Sequence, residues 1–115
     1  MQQLLTDIPL EDSVSVTGPD AKGAWSCSFF AFNTEILLQT YPGDLAESVL
    51  RRGFAAAIER CRTFERLLSR HLAGSDTVRI NESAGEAVPV ERDTYRVLAS
   101  SLFYCEASGG VFDIT

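Results

Sequence analysis

A chain of 115 residues has room for one domain, and a hydrophobic fraction of 45% excludes an intrinsically disordered tail. Sixteen acidic residues against ten Lys and Arg give a net charge of −6, which argues against a nucleic-acid or anionic-membrane surface. No segment is long and apolar enough to span a bilayer, and the N-terminus lacks signal-peptide features, so we expect a cytoplasmic chain. An extracytoplasmic protein whose leader has been removed is the alternative.

The N-terminal part of the chain predicts a leader followed by strands. Residues 1–23 are mixed in character and end in the turn cluster TGPDAKG, so we expect a loosely ordered leader there and a folded domain over 24–115. Residues 24–41 are rich in aromatic and β-branched side chains and alternate in places. This pattern predicts one long strand or the two strands of a hairpin.

The strongest predicted element is a long helix over 45–70. Apolar residues recur there at helical spacing, and Arg and Glu residues cover the opposite side as a solvated face. The following segment, 71–91, is interrupted by Gly, Ser and Pro, which predicts a loop with local extended structure. The apolar positions of the long helix are Leu45, Val49, Phe54, Ile58, Cys61, Phe64 or Glu65, and Leu68.

The last part of the chain predicts a second helix and the start of a strand. The helix begins at Asp93 or Thr94 and ends before Gly109, a residue type common just after helices. The apolar run over 111–115 then predicts a strand. The order strand, long helix, loop, helix and strand indicates an α/β or α+β domain.

Several polar and sulfur-bearing residues are candidates for chemistry. Cys27, Cys61 and Cys105 are odd in number and widely spaced, which favours free thiols over a metal site or disulfides. His71 is the only histidine and lies near the end of the long helix, where a surface or dipole role is usual. Asp113 interrupts an apolar run, so its carboxylate either finds a donor or points to water. The residues alone leave both open.

Four blocks of the sequence together resemble the ApbE family of flavin transferases. They are FFAFNTEI (29–36), FERLLSRHLAGSDTVRIN (64–81), VPVERDTYRVL (88–98) and SGGVFDIT (108–115). The resemblance covers about 29–115 and implies the N-terminal part of an ApbE-like, T-fold-related α/β fold with a flavin cleft. It also implies an enzyme that uses FAD and Mg²⁺, moves FMN onto a Thr of a target flavoprotein and releases AMP.

The same resemblance implies which residues of this chain contact FAD. Phe32 stands where the family often has Met at the flavin edge, and His71 stands where many members have Tyr beside the ring. Val111, Phe112 and Asp113 match the family's FAD-contacting run, in which Asp113 is expected to hydrogen bond to a polar group of FAD. No catalytic residue and no metal ligand are assigned in this chain.

In the family, the block after FDIT continues into a glycine-proline segment and later into FAD and metal-binding segments. We therefore expect residues 24–115 to be a C-terminally truncated portion that is inactive alone, with the full-length parent as the enzyme. One alternative is a family member that hydrolyses FAD as a pyrophosphatase. Another is a non-enzymatic flavin-binding or interaction module, which would form a homo-oligomer through unpaired strand edges.

Overall fold

Residues 9–115 are described by the structure, which is a computed structural model. The first elements along the chain are helix α1 (Leu10–Ser13) and strands β1 (Ser15–Thr17), β2 (Ser26–Ala31) and β3 (Thr34–Gln39). Three helices follow, α2 (Glu47–Leu68), α3 (Asp76–Asn81) and α4 (Arg92–Ala107). The chain divides into two compact units, a first unit that ends at Glu65 and a second unit that begins at Arg66.

The centre of the first unit is a three-stranded antiparallel sheet in which β2 lies between β1 and β3. The register pairs Ala31 with Thr34, so Phe32 and Asn33 alone make the turn between β2 and β3. Both turn residues have positive φ, which suits the right-handed twist of a two-residue hairpin. Of the two alternatives for 24–41, the hairpin is therefore confirmed.

One face of this sheet forms the core with α2. Alternate residues of β2, Cys27, Phe29 and Ala31, are fully buried, as the period of a strand requires. Helix α2 adds Phe54 and Ile58, which lie one turn apart on the same helical face. Helix α2 lies within the predicted range 45–70. Partly buried side chains surround the core, namely Val14, Val16, Trp25, Ile36, Leu38 and Cys61.

The second unit contains a helix that the sequence analysis did not predict. Residues 76–81, expected to lie in a loop with local extended structure, form α3. The Ser75 hydroxyl oxygen accepts a hydrogen bond from the Val78 N–H at 3.1 Å, which caps the helix, and Asp76 follows in the first turn. The β-branched residues of α3 lower its helix propensity, so the capping pattern at its start was not enough to predict a helix.

Helix α4 begins at Arg92, one residue before the predicted start, and Ser108 is its C-cap. Gly109 and Gly110 follow with φ of 63° and 85°, and the Gly110 N–H donates to the Cys105 carbonyl at 2.9 Å. This is the left-handed helix end that glycine permits. The strand predicted over 111–115 is wrong, because this segment forms bends closed by local hydrogen bonds.

Strands and helices together confirm the mixed α/β (α+β) class. The leader expected over 1–23 lies partly outside the described residues, and its described portion contains α1 and β1. Cys27, Cys61 and Cys105 are free thiols, the first buried and the other two half-buried. None of the helices within 9–115 is long and apolar enough to cross a membrane.

Replacing Phe29 tests the core of the first unit. Phe29→Ala leaves a cavity beneath the sheet and is expected to lower the free energy of unfolding by about 3–5 kcal/mol, read from urea denaturation. Leu37→Ala is the matched control, because Leu37 lies on β3 but is 60% exposed. A Phe29→Ala loss no larger than the Leu37→Ala loss would contradict this assignment of the core.

Candidate functional site

The C-terminal end of α4 and the residues after it form an exposed aromatic surface. Tyr104, Ala107, Ser108 and Phe112 line a shallow concavity of about 490 Å³. The ring of Tyr104 also meets that of Phe103 edge to face, with 5.2 Å between centroids. Exposed aromatic rings offer a large contact area with few rotamers, so this surface suits a planar aromatic ligand.

A short bend places Phe112 in this aromatic surface. The Phe112 N–H donates to the Ser108 hydroxyl oxygen at 2.9 Å, and the Val111 N–H donates to the Ser108 carbonyl at 3.4 Å. Phe112 is 47% exposed, whereas Val111 is 91% exposed. Of these two residues predicted to contact FAD, Phe112 therefore has a defined position beside α4, and Val111 points largely to solvent.

Asp113 is an exposed carboxylate with local hydrogen-bond donors. Its Oδ1 accepts from the Thr115 hydroxyl at 2.7 Å and from the Thr115 N–H at 2.9 Å. These two hydrogen bonds stabilise the charged form and lower the pKa of Asp113 below its usual value. The sequence left open whether the Asp113 carboxylate finds a hydrogen-bond donor or points to water. Both hold in the structure, because Asp113 has donors and is also exposed.

The other two predicted residues lie in different parts of the chain. His71 is exposed in the bend after α2, where its N–H donates to the Ser69 hydroxyl oxygen at 3.1 Å and its Nε2 accepts from Arg70 Nε at 3.3 Å. Phe32 is 46% exposed at the hairpin turn of the first unit. Of the five residues predicted to contact FAD, Phe32 belongs to the first unit and the other four belong to the second.

A buried carboxylate that the sequence analysis did not single out organises the second unit. Asp76 is only 4% exposed, at the start of α3. Its Oδ1 accepts from Arg79 Nη2 at 2.5 Å, and its Oδ2 accepts from the Thr94 hydroxyl at 2.6 Å and the Glu91 N–H at 3.0 Å. The Glu91 side chain makes no capping hydrogen bond at the start of α4, and the Asp76 carboxylate supplies this cap instead.

The electrostatics of this cluster favour the charged carboxylate. Burial raises the pKa of Asp76, but the hydrogen bonds from Thr94, Arg79 and Glu91 outweigh burial, so the net shift is downward. Arg79 also donates to the Pro89 carbonyl at 2.7 Å, which ties the loop before α4 to the same cluster. In the sequence, the Ser75-Asp76 pair is an N-cap pattern that indicates the start of α3, although it lies within the segment expected to be a loop.

The described residues do not fit Mg²⁺, the metal implied by the resemblance. No group of three or more His, Cys, Asp or Glu side chains within 9–115 is arranged to hold a metal ion. Asp76, a buried carboxylate, already uses both oxygens to accept hydrogen bonds from protein donors. A Mg²⁺ ion needs near-octahedral oxygen ligation, which these side chains do not provide by themselves.

The chain is thus a mixed α/β chain whose second unit carries an exposed aromatic surface. A model of the ApbE family matches residues 32–115. Because this match spans more than half of the chain, the protein belongs to the ApbE family, a flavin transferase-like family. No curated protein and no solved structure matches the chain.

Removing the charge of Asp76 tests the buried cluster. Asp76→Asn keeps the size of the side chain but replaces charge-assisted hydrogen bonds, so we expect a loss of about 2–3 kcal/mol in the free energy of unfolding at pH 7. The measurement is chemical denaturation. Glu86→Gln is the control, because Glu86 is an exposed carboxylate of the second unit. Equal losses in the two variants would contradict a structural role for Asp76.

The effect of Asp76→Asn should also depend on pH. The folded-state pKa of Asp76 is lowered, so its stabilisation is present above the unfolded pKa of about 3.9 and is lost as pH falls through the folded value. The stability difference between wild type and Asp76→Asn should therefore shrink in acid. A difference that stays constant from pH 7 to pH 3 would contradict the lowered pKa.

Proposed function

We propose that this chain is the N-terminal portion of an FAD:protein FMN transferase and that it supplies part of the surface that contacts FAD. The observation that carries the proposal is the position of Phe112. This residue lies inside the range matched by the family, and its half-exposed ring lines the aromatic concavity together with Tyr104. A planar ring of FAD is the ligand that such a surface suits within a flavin transferase-like family.

The surface offers contacts for both the planar ring and the polar edge of a flavin. The rings of Tyr104 and Phe112 offer apolar contact to a planar ring. Asp113 offers a carboxylate that can accept hydrogen bonds from an N–H or hydroxyl at the edge of the ligand, and the hydrogen bonds from Thr115 lower its pKa further below neutral pH. Phe32 and His71 are proposed as further flavin contacts, at the edge and beside the ring.

The proposed reaction of the full-length parent is phosphoryl transfer. The hydroxyl oxygen of a Thr in the target flavoprotein forms a bond to the FMN phosphorus of FAD, and the pyrophosphate P–O bond breaks. AMP leaves with the bridging oxygen. The proton lost from the Thr hydroxyl is taken up by the leaving AMP, so the step balances. Charge on the phosphates during this step calls for a divalent cation, Mg²⁺ in the family. The role proposed for residues 9–115 is therefore binding and orientation of FAD.

Replacing Phe112 tests the proposed FAD surface. Phe112→Ala removes one ring of the concavity and is expected to weaken FAD binding by this chain about tenfold, measured by calorimetric titration or by flavin fluorescence. Tyr95→Ala is the matched control, because Tyr95 is an aromatic residue of α4 that is 66% exposed and does not line the concavity. An unchanged affinity in Phe112→Ala would remove this surface from the proposal.

Incubation of the chain with FAD and Mg²⁺ tests the division between binding and chemistry. We expect FAD to bind and to be recovered intact, with mass analysis showing neither FMN nor AMP, because the proposal places the catalytic groups outside these 115 residues. Release of AMP and FMN would instead support the alternative of an FAD pyrophosphatase. Size-exclusion chromatography of the same sample tests the alternative of a homo-oligomeric binding module.

A further inference from the structure

The turn of the β2–β3 hairpin carries a bulky side chain in a backbone conformation that favours glycine. Phe32 and Asn33 have φ of 54° and 55°. Asn enters this left-handed region readily, but a bulky residue there is an outlier with a conformational cost. Phe32 is also 46% exposed, so its ring is only partly buried.

A buried carboxylate from α2 holds this strained turn. Glu65, which is 33 residues away in sequence, accepts the Phe32 N–H through its Oε2. Its Oε1 accepts from Arg62 Nη1 at 3.1 Å, and the side chains of Arg62 and Glu65 are 12% and 7% exposed. Hydrogen bonds to an ionised acceptor are about twice as strong as neutral ones, and more so away from water.

From these contacts we infer that Glu65 is a positioning residue, which fixes the backbone of Phe32 and thereby sets how the Phe32 ring is presented to FAD. The inference rests on the proposed function, in which Phe32 contacts the edge of the flavin. Glu65 itself does not touch the ligand in this arrangement. It acts through the Phe32 N–H, and Arg62 fixes the Glu65 carboxylate in turn.

The packing of the first unit indicates that a purely structural role of Phe32 does not account for its strained turn. The core side chains of β2 are Cys27, Phe29 and Ala31, so the sheet is built without the ring of Phe32. A glycine at position 32 would adopt the same φ without cost and would need no stabilising carboxylate. A strained bulky residue, held by a buried acid and left half-exposed, fits a residue set in place for a ligand.

The first experiment separates the hydrogen bond from the ligand. Glu65→Leu removes the acceptor and retains apolar volume. Hydrogen exchange of the Phe32 amide, measured by NMR without FAD, should become about tenfold faster. The affinity for FAD should fall about fivefold in the same variant, because the ring is no longer preorganised. Glu47→Gln is the control, since Glu47 is an exposed carboxylate of the same helix, paired with Arg51 at 2.8 Å.

A rescue variant separates positioning from general damage to the fold. Adding Asn33→Gly to Glu65→Leu lets the turn adopt its positive φ more readily, so FAD affinity should return part of the way to wild type. Exchange of the Phe32 amide should stay fast, because its acceptor is still missing. Where Glu65→Leu fails to fold, Glu65→Gln takes its place. Its amide oxygen still accepts the Phe32 N–H without the charge, so an intermediate exchange rate is expected.

The outcomes distinguish this inference from the proposed function. Unchanged exchange of the Phe32 amide in the Glu65 variants overturns the inference, and so does faster exchange with unchanged FAD affinity. Phe32→Ala removes the ring and keeps the N–H, so it should bind FAD more weakly with normal exchange at residue 32. Unchanged FAD affinity in Phe32→Ala would contradict the proposed role of Phe32 in flavin binding, while the exchange data still report on the Glu65 hydrogen bond.

Discussion

In each of the two units, a buried carboxylate accepts a backbone N–H from a residue at least 15 positions away in sequence. In the first unit Glu65 accepts the N–H of Phe32, and in the second Asp76 accepts the N–H of Glu91. Each acid is paired with an arginine three residues away on its own helix, Arg62 or Arg79. Because a buried charge is costly unless it is fully hydrogen bonded, each carboxylate and its donors constrain one another.

In each unit an exposed aromatic residue has its own backbone N–H in a hydrogen bond to a side chain. Phe32 follows the last buried residue of β2, and its N–H is held by an ionised acceptor. Phe112 lies beside the end of α4, and its N–H is held by the neutral hydroxyl of Ser108. A neutral hydrogen bond is the weaker of the two, so the Phe112 N–H is held less firmly than the Phe32 N–H.

The sequence was informative where a local period decides the structure. The hairpin alternation and the apolar stripe of α2 follow from side chains that must reach one core. The strand expected at 111–115 failed because a strand exists only with a paired neighbour, whereas Asp113 and Thr115 satisfy each other locally. Glu65 stood both in the apolar spacing of the long helix, as the alternative to Phe64, and beside Arg62 among the charged residues. The sequence did not decide whether its carboxylate is buried, because contact with a turn 33 residues away leaves no local pattern.

The same hydrogen-bond accounting limits what the acids of this chain can contribute to flavin chemistry. If Asp76 became a metal ligand, the Thr94 hydroxyl and the Glu91 N–H would lose their acceptor in a buried place, at a cost of about 1–3 kcal/mol for each group. Asp113 differs, because it is exposed and its donors can turn to water. The buried carboxylates Glu65 and Asp76 thus hold backbone, whereas the aromatic and acidic groups proposed to contact FAD are exposed.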